Sequence, residues 1–130
     1  MTRTERRALL RGLYAVTPET GDSDRLLRLA AAALDGGARL VQYRAKRLSV
    51  AERVAQAQPL LRLCRDRRVP LIVNDDVELV IALGADGVHL GRDDCDPRMV
   101  RERLPDAIIG VSCYANPALA SAARGRPRRR

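Results

Sequence analysis

Side chains suited to binding a metal ion and phosphate recur along this sequence, each time just after an apolar run. Gln42, Arg44 and Lys46 alternate, so in extended backbone their amide, guanidinium and ammonium groups point to the same side. Arginine can grip two phosphate oxygens at once and lysine adds a point charge, which suits an anionic ligand. The alternative interpretation is a polar loop that only meets solvent.

Carboxylates follow the next two apolar runs, in Asn74–Asp75–Asp76 and in Asp93–Asp94. Such oxygens suit Mg²⁺, which takes few protein ligands and keeps water and phosphate oxygens. The alternative is that one aspartate after Asn74 only caps the helix that follows, and both interpretations hold if its neighbour binds metal. Because neighbouring parallel strands place their end loops side by side, Asp75 and Asp94 could hold one ion from two sides.

His89 lies in the fourth apolar run, while Ser112 and Cys113 follow the fifth. The Ser112 hydroxyl could donate a hydrogen bond to a phosphate. A serine or cysteine nucleophile needs an adjacent base, and no motif pairs either residue with His89. A lone histidine in an apolar strand is more often a hydrogen-bonded structural residue than a catalyst, and this is the favoured interpretation of His89. The sequence contains no Walker P-loop and no G-x-G-x-x-G motif.

Short β-type runs that alternate with helical ones must position these residues. The pattern predicts strands at 13–16, 39–43, 70–73, 87–90 and 107–111. Helix starts are predicted at Asp22 or Ser23, at the capping box Ser49–Glu52, after Asn74–Asp76, at Asp96–Pro97 and at Asn116–Pro117. Strands joined by helices imply parallel pairing. A flavodoxin-like sheet and the first half of an eight-stranded α/β barrel both fit, and both place function at the carboxyl ends of the strands.

Length and charge limit the classes of protein that fit. A chain of 130 residues is one domain at most and is short for a closed eight-stranded barrel. The net charge is +8, but five arginines lie in the last seven positions, a pattern typical of a solvated end. With only three aromatic residues to stack on bases, nucleic-acid binding is not favoured. We expect residues 1–123 to fold and the arginine-rich tail, 124–130, to be disordered.

The cysteines and the apolar segments predict a cytoplasmic protein. Cys64, Cys95 and Cys113 are odd in number and lack C-x-x-C spacing, so we expect free thiols and no zinc site. Met1 to Arg11 has no apolar core like that of a signal peptide, and no segment approaches the roughly 20 apolar residues that span a bilayer. We therefore expect no membrane association.

Four segments, Q-Y-R-A-K, L-I-V-N-D-D-V-E-L, G-A-D-G-V-H-L-G and I-I-G-V-S-C-Y, together resemble thiamine phosphate synthase over about 13–120. The resemblance implies a (β/α)8 TIM barrel and a transferase of thiamine biosynthesis. That enzyme joins hydroxymethylpyrimidine diphosphate to a thiazole phosphate and releases pyrophosphate. Thiazole tautomerases, which share the barrel, are the second choice. A non-catalytic remnant that binds only Mg²⁺ and the pyrimidine diphosphate is a further alternative.

The resemblance also implies a role for each matching residue. The substrate-binding residues would be Gln42, Tyr43, Arg44, Ala45, Lys46, Asn74 and Ser112. Asp75 and Asp94 would bind Mg²⁺, and Ser112, Arg44 and Lys46 would act in catalysis. In the implied dissociative substitution, Mg²⁺ and the basic residues stabilise the departing pyrophosphate before the thiazole nitrogen captures the pyrimidine cation.

Three features depart from the family pattern. Family members continue well beyond a fifth strand, into loops that bind the thiazole phosphate, so that site would be mostly missing here. Arg92 stands where the family usually has glutamine, and the arginine-rich end is unlike the family. We expect a barrel truncated after about strand five, from a frameshifted or prematurely ended reading frame. A half barrel exposes the inner face of its sheet, so we also expect the chain to aggregate or to form a homo-oligomer.

Overall fold

Five parallel strands form one sheet in the computed structural model, which describes residues 1–8, 12–91 and 96–112. The strands are β1 (Leu13–Val16), β2 (Ala38–Tyr43), β3 (Leu71–Asn74), β4 (Gly87–Leu90) and β5 (Ile108–Val111). They pair in sequential order, β1-β2-β3-β4-β5. A flavodoxin-like sheet would instead have the order 2-1-3-4-5. The observed order therefore selects the α/β-barrel alternative and confirms the predicted fold class.

The helices of this part of the chain are α1 (Arg3–Ala8), α2 (Ser23–Asp35), α3 (Val50–Asp66), α4 (Val77–Leu83) and α5 (Pro97–Arg103). Asp22 caps α2, and the predicted capping box of Ser49 and Glu52 begins α3 with both reciprocal hydrogen bonds. Asp96 caps α5, with Pro97 in its first turn. The sequence pattern did not predict α1. The predicted helix at Asn116–Pro117 and the tail 124–130 lie outside the described residues.

The apolar core lies between the helices and one face of the sheet. Because side chains alternate along a strand, Val41, Tyr43, Val73 and Val88 share that face, and they pack against helix residues such as Leu60. The opposite face is called here the inner face. Its residues include Tyr14, Val16, Leu40, Gln42, Ile72, Asn74 and His89. The inner face carries most of the polar strand residues.

Apolar side chains on β1 are exposed in the described part of the chain. Leu13 is 60% exposed, Val16 52% and Tyr14 42%, and β1 pairs with β2 alone among the described strands. An apolar surface at an open strand edge favours association. We therefore expect the 130-residue chain to be oligomeric or to aggregate. Light scattering that gave a monodisperse monomer, together with a cooperative thermal melt, would contradict this expectation.

The thiol of Cys64 is enclosed between α3 and the sheet. Burial, with a smaller contribution from the Asp86 carboxylate, raises the pKa of this thiol from 9.0 to about 12. We therefore expect Cys64 to resist iodoacetamide at pH 8 in the folded protein and to react once the protein is unfolded. Mass spectrometry of the peptide that contains Cys64 measures both states. Rapid alkylation of Cys64 without unfolding would show that the thiol is accessible.

The same pKa shift predicts how stability changes with pH. The thiol ionises at a higher pH in the folded state than in the unfolded state, so its burial stabilises the fold fully below about pH 9. That contribution is lost as the pH rises from 9 towards 12. A Cys64→Ala variant has no thiol at this position, so its free energy of unfolding should fall less between pH 8 and pH 10.5 than that of the unsubstituted protein. Denaturant titration at the two pH values would measure the difference.

No helix of the described ranges is long and apolar enough to cross a membrane.

Candidate active site

Three of the polar residues singled out in the sequence lie at the carboxyl ends of described strands. Gln42 is near the end of β2 and Asn74 ends β3, while Ser112 directly follows β5. Asn74 is level with His89 on β4, and Gln42 is level with Val16 on β1. Gln42, Asn74 and Ser112 therefore lie along one edge of the sheet.

The two adjacent aspartates after β3 have different environments. Asp76 caps α4, since its Oδ1 accepts a hydrogen bond from Leu79 N at 3.0 Å, and its Oδ2 lies 3.2 Å from the Arg53 guanidinium. Asp75 has φ +65°, an uncommon left-handed conformation for a residue other than glycine. The interpretation in which one aspartate caps is confirmed for Asp76.

The Asp75 carboxylate connects the loops that follow three strands. Its Oδ1 accepts a hydrogen bond from Gly91 N, after β4, at 3.3 Å. Its Oδ2 lies 3.6 Å from the Lys46 ammonium, after β2. A carboxylate can bind a metal ion, and a neighbouring ammonium can bind a phosphate. The structure thus brings Lys46 and Asp75 together, as the strand-end argument predicted.

Gln42 is held on the inner face by a residue that the sequence pattern did not single out. Its side-chain amide donates a hydrogen bond of 2.7 Å to the Tyr14 hydroxyl, and Gln42 is only 5% exposed. Burial raises the pKa of Tyr14 above its usual value, and the hydrogen bond from Gln42 partly offsets that rise. Tyr14 therefore stays protonated at neutral pH and can accept from Gln42 while it donates elsewhere.

The side chains of Tyr43 and Ala45 do not lie on the inner face. Tyr43 is 1% exposed, and its hydroxyl donates to Gln56 Oε1 on α3 at 2.8 Å. Burial raises the pKa of Tyr43 to about 12. Ala45 is buried in the same apolar core. Any contact of these two residues with a ligand is therefore limited to their backbone groups. The prediction that Tyr43 and Ala45 bind substrate now applies to their backbone groups alone.

His89, on β4, forms a hydrogen bond with Ser112, which directly follows the neighbouring strand β5. His89 Nε2 lies 2.7 Å from Ser112 Oγ, and Ser112 N donates to Leu90 O at 2.9 Å. The His89 ring packs over β5 where that strand has Gly110, since a Cβ at Gly110 would lie 2.7 Å from His89 Nδ1. The interpretation of His89 as a hydrogen-bonded residue agrees with this contact. The pairing with Ser112 was not predicted, because it depends on strand register.

The second predicted metal ligand, Asp94, lies outside the described residues, as do Arg92, Asp93, Cys95 and Cys113. Across 1–8, 12–91 and 96–112, no group of three or more His, Cys, Asp or Glu side chains is placed to hold a metal ion. The pairing of Asp75 with Asp94 therefore stays a prediction.

A sequentially ordered parallel sheet with polar residues at its carboxyl edge defines an α/β-barrel-type protein with a strand-end site. Residues 13–127 match the family model described as thiamine monophosphate synthase. The chain belongs to this family.

Individual relatives agree with the family match. The chain is 58% identical over 113 residues to the thiamine-phosphate synthase of Chromobacterium violaceum, covering 86% of this chain and 55% of that protein. It is 54% identical over 112 residues to the thiamine-phosphate synthase of Methylobacillus flagellatus, covering 85% and 54%. Thus the chain spans about half the length of these curated relatives.

A solved structure supports the same fold. The thiamine phosphate pyrophosphorylase from Pyrococcus furiosus superposes with a TM-score of 0.76 at 32% sequence identity. The match covers 93% of this chain and 58% of that one. The fold implied by the resemblance in sequence is therefore confirmed.

Proposed function

We propose that this chain carries the pyrimidine diphosphate site of a thiamine phosphate synthase. The observation that carries the proposal is the ion pair at the carboxyl edge of the sheet, where Lys46 Nζ lies 3.6 Å from Asp75 Oδ2. Arg44 is exposed at the same edge, and no ion pair of its guanidinium occurs within the described residues. Two cations beside a carboxylate suit a diphosphate bound together with a divalent ion.

The proposed cofactor is Mg²⁺, and the donor set fits it. Asp75 offers a hard carboxylate oxygen, and Asp94 would supply a second one from the loop after β4. Mg²⁺ commonly takes one or two carboxylates and completes its shell with water and substrate phosphates. When bound, the ion would neutralise charge on the diphosphate.

In the proposed reaction, the pyrimidine substrate loses its diphosphate and gains a bond to the thiazole nitrogen. The bond between the methylene carbon and the diphosphate oxygen breaks, and the electron pair leaves with pyrophosphate. Arg44 and Lys46 would stabilise the charge that grows on this leaving group. The Gln42 and Asn74 amides would orient the pyrimidine diphosphate. Ser112, held by His89 at 2.7 Å, would lie beside the reacting centre.

A second candidate function is binding without catalysis. The chain spans about half the length of the relatives reported above, and a thiazole phosphate site is not assigned to any described residue. A chain of this kind could bind Mg²⁺ and the pyrimidine diphosphate without forming thiamine phosphate. Both relatives carry the synthase name, which favours these two candidates over a thiazole tautomerase. We also propose a cytoplasmic location, which suits the free thiol of Cys64.

Two measurements on the 130-residue protein separate these candidates. Calorimetry with hydroxymethylpyrimidine diphosphate, with and without Mg²⁺, tests the site itself. We expect saturable binding that requires the ion. A discontinuous assay for thiamine phosphate, with both substrates present, then separates a synthase from a binding protein. Absence of binding in the presence of Mg²⁺ would contradict both candidates.

A further inference from the structure

Residues 44–47 are called here the basic loop. Side chains of the loop after β1 form hydrogen bonds with the backbone of this basic loop. Glu19 Oε1 accepts a hydrogen bond from Lys46 N at 3.0 Å, and Glu19 Oε2 accepts one from Arg47 N at 2.6 Å. Thr17 Oγ1 accepts from Arg44 N at 3.1 Å. Three of the four backbone N–H groups of the basic loop are therefore bound by side chains of one neighbouring loop.

The residues that make these contacts are themselves fixed. Thr17 is 7% exposed, and its own N–H donates to Gln42 O at 2.9 Å, which continues the pairing of β1 with β2. Gln56 Nε2 donates to Thr20 O at 2.7 Å and anchors the far side of the Glu19 loop to α3. The loop after β1 is thus hydrogen-bonded to β2 and to α3 as well as to the basic loop, from which Arg44 and Lys46 project.

We propose that Glu19 and Thr17 are positioning residues for the basic loop and set the direction in which Arg44 and Lys46 meet an anionic ligand. The inference rests on the proposed function, because it assumes that these two cations bind the diphosphate. Neither positioning residue needs to touch the ligand. Their contribution is to keep the loop from reorganising when the ligand binds, which lowers the cost of binding.

Because Glu19 is negatively charged, electrostatic repulsion and the positioning role predict opposite effects of neutralising it. A carboxylate beside a diphosphate site repels the ligand, so Coulomb's law alone predicts tighter binding when Glu19 is neutralised. The positioning role predicts the opposite. A carboxylate offers an oxygen to each of two N–H groups, whereas glutamine has one acceptor oxygen and turns an NH₂ group towards the other. Glu19→Gln should therefore loosen the basic loop.

The first test is calorimetry with hydroxymethylpyrimidine diphosphate and Mg²⁺ on matched variants of the full chain. We expect the Kd to rise about three- to tenfold in Glu19→Gln, as for the loss of one hydrogen bond of ordinary strength. Thr17→Val replaces the hydroxyl that accepts from Arg44 N by a methyl group and should weaken binding similarly. Thr17→Ser keeps a hydroxyl and should bind like the unsubstituted protein. Glu78→Gln loses an exposed ion pair with Arg103 and is the charge-matched control. Unchanged or tighter binding by Glu19→Gln would overturn the inference.

The second test needs no ligand and separates failure of the inference from failure of the proposed function. Amide hydrogen exchange of Lys46 and Arg47 should be slow in the unsubstituted protein and at least about tenfold faster in Glu19→Ala, since the N–H groups lose their acceptors. Equal exchange in both proteins would overturn the inference even if the ligand binds. If the unsubstituted chain does not bind the ligand, the proposed function fails, and with it the assignment of these residues to ligand binding.

Discussion

The substitution Asp75→Asn should greatly reduce the dependence of ligand binding on Mg²⁺. The carboxylate of Asp75 is the metal ligand we propose in the described part of the site, and it already faces Lys46 at 3.6 Å. Asparagine keeps the shape and one oxygen but loses the charge that attracts the ion. We expect affinity for the pyrimidine diphosphate in Mg²⁺ to fall by about 10- to 100-fold, the range for losing a charged hydrogen-bonding partner. Calorimetry with and without Mg²⁺ measures the change.

The neighbouring residue provides the matched control. Asparagine tolerates the left-handed conformation of position 75, so Asp75→Asn should leave the backbone unchanged. Asp76→Asn makes the same chemical change one residue later, where asparagine is an equally good helix cap. It gives up the ion pair with Arg53, and we expect nearly unchanged ligand affinity. Equal losses in the two variants would contradict the different roles assigned to these aspartates.

The strands and helix starts could be predicted from the sequence because local signals determine them. The predicted β1 and β4 match the structure, and β2 begins one residue earlier than predicted. The capping box at Ser49 identified the start of α3 correctly. The order of the strands was left open, because βα repeats have the same local pattern in an open sheet and in a barrel. Helix α1 was missed because it is short, and the fold holds it through Arg6.

The position of the site could also be predicted, but its internal contacts could not. Parallel strands place their carboxyl ends together, so Gln42, Asn74 and Asp75 can be grouped from the sequence alone. The hydrogen bonds of Thr17 and Glu19 to the basic loop join residues 27 or 28 positions apart. No periodic pattern marks such side-chain-to-backbone contacts. The contacts of the Asp75 carboxylate with Gly91 N and Lys46 likewise join residues that lie far apart in the sequence.

The carboxylate of Asp86 holds the opposite end of the sheet, where the strands begin. Its Oδ2 accepts a hydrogen bond from Leu71 N at 3.0 Å, and its Oδ1 lies 3.2 Å from Arg6 Nε. Arg6 also donates to Asp106 O at 2.9 Å, so the pair ties α1 to the start of β5. The side chains of Arg6 and Asp86 are only 14% and 12% exposed. Removing one partner would therefore leave polar groups shielded from water.

We expect Asp86→Ala to be the most destabilising of the substitutions proposed here. It leaves Leu71 N–H without its acceptor and the Arg6 guanidinium without its anion, at a cost of about 3 kcal/mol. The melting temperature should fall on the order of 10 °C for a domain of this size. A double-mutant cycle with Arg6→Ala isolates the ion pair. Asp35→Ala, which breaks the exposed pair with Arg67, is the control and should cost at most about 1 kcal/mol.

Substitutions at the two ends of the sheet should affect different properties: stability at the Asp86 end and ligand binding at the Asp75 end. Asp86→Asn keeps an oxygen for Leu71 N–H and loses only the charge, so we expect part of the destabilisation and an unchanged ligand affinity in the protein that remains folded. Asp75→Asn should show the reverse, since the exposed ion pair it loses with Lys46 contributes little to stability. In α/β barrels the amino-terminal face carries stability and the carboxyl-terminal face carries function. Weakened binding in folded Asp86→Asn would show that the two ends are coupled.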